Sequence, residues 1–152
     1  MKIFKHICSF IILWFILGLF YAAIEILFRG YTFIEMVWIG GLCGAIVGLL
    51  NQFSIFTARR IWQQSLFGTF VTLLIEFLSG YFYNIRLHLD LWDYSKMPFN
   101  FMGQICLSTA VGWFFLMPFA IYIDDWLRFR LFNEPRPKGG IFSNYIALFK
   151  GK

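Results

Sequence analysis

Glu76 stands inside an apolar run, "TLLIEFLSG", where a carboxylate has few companions. An ionisable side chain in a membrane-length segment costs about 2.5–3.5 kcal/mol on insertion scales, so it turns inward to a partner and marks a candidate ligand, proton or cation site. Thr72 lies one turn before it on the same helical face. Glu25 is a second such acid, and Arg29 follows at the i+4 spacing that pairs opposite charges on one face. A third concentration of polarity is "LDLWDYSKMPFNFMGQI", residues 89–105. Trp92 and Tyr94 have the amphipathic rings of a membrane–water boundary. Asp93 and Ser95 suit a turn, and Asn100, after Pro98, suits the cap of a following helix. Gln104 is then expected in that helix's first turn. Together Glu76, Glu25, Arg29, Asp93, Tyr94, Asn100, Gln104, Thr72 and Trp92 form the candidate ligand-binding set. Acids gathered at one mouth favour a cation or a cationic solute by direct charge attraction.

Other chemistries lack their residues. His6 and His88 are isolated, so no metal constellation is expected, and no cofactor is called for. Cys8, Cys43 and Cys106 are scattered in apolar runs without a C-x-x-C pair. H-E-x-x-H, G-x-S-x-G and G-x-x-x-x-G-K-[ST] are missing, so catalytic residues are not assigned and the reading leans away from an enzyme. An interfacial lipid-modifying enzyme would have to work through the carboxylates alone.

Composition sets the scaffold. Of 152 residues 60% are hydrophobic and only 14% charged, against roughly 25% in soluble domains. A soluble chain of this size could not bury so much apolar surface. The expectation is an all-α membrane protein, a bundle of four transmembrane helices at about 7–28, 33–50, 61–83 and 101–124, each near the roughly 20 residues a bilayer needs. Pro118 is expected to kink the fourth. The N-terminal run is too long for a signal sequence and reads as a retained helix. Residues 1–132 make the transmembrane domain. Residues 133–152 make a Pro/Gly hinge, "NEPRPKGG", and a short helix, "IFSNYIALFK", with Ile141, Phe142, Tyr145, Ile146, Leu148 and Phe149 on one side and Ser143, Asn144, Ala147 and Lys150 on the other. That pattern suits an amphipathic interfacial helix.

Direction follows from the cations. Lys2, Lys5, Arg59, Arg60, Arg128, Arg130, Arg136, Lys138, Lys150 and Lys152 fall on one side, and only Arg29, Arg86 and Lys96 on the other. The positive-inside rule places both termini in the cytoplasm of a multi-pass cell-membrane protein, and residues 89–105 outside. The net charge of +5 is then topological, with the lipid bilayer rather than nucleic acid as partner. Each span carries a small or polar stripe: Gly18, Ala22, Glu25 and Arg29; Gly41, Gly44, Gly48 and Asn51; Thr69, Thr72, Glu76, Gly80 and Tyr83; Gln104, Ser108 and Gly112. Helices in lipid meet through such residues. The polar groups converge in the outer half, which predicts a pocket with residues 89–105 as its lid and inner halves nearly free of charge.

The segment from Thr72 to Trp113 resembles the CmpB-like family of ABC-transporter type IV permeases. The matching residues are Thr72 and Glu76; Trp92, Asp93, Tyr94 and Ser95; and Pro98, Asn100, Gly103, Ile105 and Cys106. Glu25 and Arg29 fit the family's first-helix acid and base more loosely, and its G-P-x-C-P-x-Y-G word stands here as "GGLCGAIVG". The resemblance implies a permease-like transport component whose ATPase would be a separate cytoplasmic chain. A homo-oligomer would offer a pathway between chains, and a membrane scaffold or lipid-binding partner protein is the alternative.

Overall fold

A computed structural model describes residues 2–137 and 139–151, with side chains from Ile7 onward. Lys138 and Lys152, and the side chains of Lys2, Lys5 and His6, lie outside the described residues. The described chain is helical: α1 Lys2–Arg29, α2 Ile34–Leu50, α3 Ser54–Thr57, α4 Ile61–Gly80, α5 Leu107–Phe132 and α6 Ile141–Phe149. After Gly80 the backbone continues as a π-helical stretch, Tyr81–Arg86. The segments Ile7–Arg29, Ile61–Arg86 and Leu107–Phe132 are long and apolar enough to cross a membrane, while α2 is a shorter apolar helix. Exposed Leu, Ile and Phe on their outward faces suit a surface solvated by acyl chains.

Glycines set the closest approach. A Cβ at Gly41 would fall on the carbonyl oxygen and indole of Trp14, and one at Gly18 on the Val37 carbonyl. This is the small-residue packing by which apolar helices associate in lipid, and it gives "GGLCGAIVG" a structural role. Trp14 Nε1 donates to the Trp38 carbonyl across the same pair at 2.8 Å. On α4 the expected stripe faces inward, with Thr69, Thr72, Glu76 and Gly80 all buried.

Three expectations are corrected. The fourth helix begins at Leu107, with Cys106 in the cap position, so Gln104 sits before the helix and Asn100 does not cap it. Ser108 and Gly112 are exposed rather than inward-facing, and a Cβ at Gly112 would meet nothing. The end opposite residues 89–105 is not free of charge: α5 runs on to Phe132 and buries Asp124 and Arg128 there.

The tail folds back. Asn133 in the left-handed region (φ 57°) ends α5, and α6 packs on α5 with Leu148 buried. Its faces divide differently from the expected split. Tyr145 Oη donates to the Phe115 carbonyl at 2.8 Å and Asn144 Nδ2 to the Pro118 carbonyl at 3.4 Å, while Phe142, Ile146 and Phe149 are exposed. α5 stays helical through Pro118, whose ring nitrogen cannot donate to the Phe114 carbonyl.

Candidate functional site

Residues 87–106 form a strap tied over one end of the bundle. Asn84, inward on the π-helical stretch, holds it at three points. Its Nδ2 donates to the Trp92 carbonyl (3.0 Å) and Gln104 Oε1 (2.9 Å), and its Oδ1 accepts from Leu91 N–H (2.7 Å). Trp92 is buried, and its Nε1 donates to the Gln104 carbonyl at 3.0 Å. Asn100 ties the tip: Nδ2 donates to the Ser95 and Met97 carbonyls, and Oδ1 accepts from Gly103 N–H. Gly103 takes φ +69°, and the non-glycine residues His88, Asp90, Phe99 and Met102 also lie at positive φ. Such residues are uncommon there and persist where the surroundings over-determine the backbone. Most of the W-D-Y-S…P-x-N-x-x-G residues therefore build the strap itself.

Two acids lie beneath it. Glu76 is only 7% exposed. Its Oε1 accepts from Tyr94 Oη at 3.3 Å and its Oε2 from Trp113 Nε1 at 3.1 Å. Among the described residues no cation pairs with it. Tyr94 lies on the strap, and burial first, then the charge of Glu76, pushes its phenol up, so it remains a donor. Glu25 pairs with Arg29 at 2.9 Å as the spacing predicts, and also accepts from Thr32 Oγ1. Arg29 reaches on to the Leu91 carbonyl at 3.2 Å, which anchors the strap to α1.

The structure thus brings Glu76 and Tyr94 together with Trp113, Glu25 with Arg29, and Trp92 with Gln104. It does not bring Asp93 to them. Asp93 is exposed, and its carboxylate accepts from the Ser95 N–H (2.8 Å) and hydroxyl (2.9 Å), which hold it below the usual carboxylate range. Asn100 faces the strap's own backbone.

Below Glu76 the inward face of α4 carries Thr72, Thr69 and Ser65. Each hydroxyl is buried and lacks a hydrogen-bond partner among the described residues. Thr72 also lines a small apolar crevice of about 60 Å³ with Tyr21, Cys43 and Trp113.

Sequence reasoning missed the opposite end. Arg128 Nε donates to Asp124 Oδ2 at 2.7 Å, Glu134 lies 3.6 Å from the same guanidinium, and Asn51 Nδ2 donates to Asp125 Oδ1 at 2.8 Å. Asp124 is 1% exposed and packs on Gly48, and its Oδ1 has no hydrogen-bond partner among the described residues. The i+4 spacing of Asp124 and Arg128 was the available signal.

No solved structure matches the chain. A family profile described as "Putative ABC-transporter type IV" matches residues 7–149, nearly the whole sequence. Its apolar helices and this match make it a membrane protein related to transport, and the chain belongs to the ABC-transporter type IV family so described.

Proposed function

We propose that the chain is a transport or solute-binding component of the cell membrane, with Glu76 as its binding carboxylate and the strap as its gate. In this reading α2 completes four spans, the strap faces outward, both termini are cytoplasmic, and α6 lies at the inner interface. The observation that carries it is a buried acid that, among the described residues, is met by two neutral donors, Tyr94 and Trp113. A carboxylate so held gains a proton or a cation without first breaking an ion pair. Tyr94 couples that event to the strap, because moving the strap removes one of the two donors. The partnerless hydroxyls of Thr72, Thr69 and Ser65 extend the polar face deeper into the bundle. Glu25 and Arg29 anchor the strap, Trp92, Asn100 and Gln104 shape it, and Asp93 sets its turn. A separate ATPase chain would dock at the cytoplasmic side, on α6 and the link after α2.

The test is binding of sodium, potassium and tetramethylammonium to the full chain in proteoliposomes. Glu76→Gln is expected to weaken the bound cation at least about tenfold, a loss of ~1.4 kcal/mol. Wild-type affinity for all three cations in that variant defeats the reading.

The bonding of the strap's polar groups to one another favours a second reading, a membrane scaffold whose polar knot serves stability alone. Asp93→Asn with Glu76→Gln would then lower thermal stability and leave cation binding and flux as they were.

A further inference from the structure

A second candidate site lies at the other end of the molecule, beside the link between α2 and α4. The link does not run straight. It winds through α3 and leaves Phe53 and Ile55 exposed opposite Leu66, Phe67 and Phe70 of α4. Between them is a cleft of about 760 Å³, within the usual range of ligand pockets. Its walls are apolar, its floor includes the buried Phe56, and Arg59, Trp62 and Gln63 stand at one end.

Three features fix the class of occupant. Among the described residues no carboxylate lines the cleft, and Arg59 is the charged side chain in its lining. The Arg59 guanidinium is exposed, and among the described residues it joins no ion pair. From Ile61 to Phe70 the α4 wall rises roughly 14 Å at 1.5 Å per residue, close to one leaflet of a hydrocarbon core about 30 Å thick. A site with a cation at one end and a leaflet-deep apolar wall fits a molecule built the same way.

We propose that this cleft binds an anionic phospholipid, with its phosphate on Arg59 and an acyl chain against Phe53, Phe67 and Phe70. The Trp62 indole N–H and the Gln63 amide are the neighbouring donors for headgroup oxygens. Arg60 adds charge but contributes less, because its guanidinium turns toward the Gly151 carbonyl at 3.5 Å.

The experiment uses the full chain in vesicles of equimolar phosphatidylglycerol and phosphatidylcholine with identical acyl chains, followed by gentle extraction and native mass spectrometry. The wild type is expected to retain one phosphatidylglycerol in preference to phosphatidylcholine, by about fivefold for a single surface guanidinium. Arg59→Gln is expected to erase the preference, Arg59→Lys to keep part of it, and Phe67→Ala to reduce total retained lipid. Glycerol phosphate in the buffer is expected not to displace the lipid, because it lacks the acyl chain. Equal retention of the two lipids by the wild type, an unchanged preference in Arg59→Gln, displacement by glycerol phosphate, or a stoichiometric protein chain in place of lipid would each overturn the proposal.

Discussion

Two buried acids, Glu76 near one end of the bundle and Asp124 near the other, keep different company. Beneath the strap, Glu76 rests on a phenol and an indole. At the termini end, Asp124 rests on the Arg128 guanidinium at 2.7 Å, with Glu134 beyond it. A buried ion pair is locked, since removing one partner strands the other's charge. An acid held by neutral donors keeps its hydrogen bonds while its charge remains free to change. The comparison sets Asp124 apart as an acid fixed by its ion pair, and under the proposed function Glu76 is the acid left free for chemistry.

The strongest way to break it is Arg128→Ala. Stranding Asp124 should cost about 3–5 kcal/mol, read as a collapse of the melting temperature in detergent, whereas Asp124→Leu with Arg128→Met should restore most of it. Glu76→Gln should cost under about 1.5 kcal/mol, because the amide still accepts one of the two bonds. If Glu76→Gln melts the protein as far as Arg128→Ala does, the two ends do not differ in kind.

Gly41→Ala comes next, at about 1–3 kcal/mol, because its Cβ would fall on the Trp14 carbonyl and drive α1 from α2. Thermal denaturation beside Gly112→Ala, which meets nothing, checks it. Tyr94→Phe removes one bond to Glu76 and should cost about 1 kcal/mol, with faster hydrogen exchange confined to the strap.

The smallest effect is a pH dependence at Asp93. Its carboxyl is held below its ordinary value by the Ser95 donors, so the turn's contribution is present above the unfolded pKa. It fades as pH falls through the lower folded value. The protection factors of residues 93–95, exchange rates corrected for the intrinsic effect of pH, should fall below about pH 4, and Asp93→Asn should remove that loss.

The long apolar runs announced the helices, and the stripes on α1, α2 and α4 announced their inward faces. The start of α5 was not legible. Phe101, Met102 and Ile105 continue the apolar pattern, and Asn100 stands where a cap belongs. Its amide instead satisfies strap carbonyls, and Met102 takes a left-handed backbone that hydropathy does not encode. The Asp124–Arg128 pair has the same spacing as Glu25–Arg29, but at a helix end an arginine also reads as a topological charge. Tertiary contact alone separates the two meanings. That Glu76 would be buried follows from the cost of its charge, whereas its partners come from α5 and the strap, distant in sequence.

Pro118 leaves a gap in the ladder of α5, and two carbonyls beside that gap receive donors from Asn144 and Tyr145. The tail therefore acts as a splint across a weak point. Anything that lifts α6 away unbraces α5 five residues from Trp113, so a grip on the tail reaches the buried acid through the stiffness of one rod.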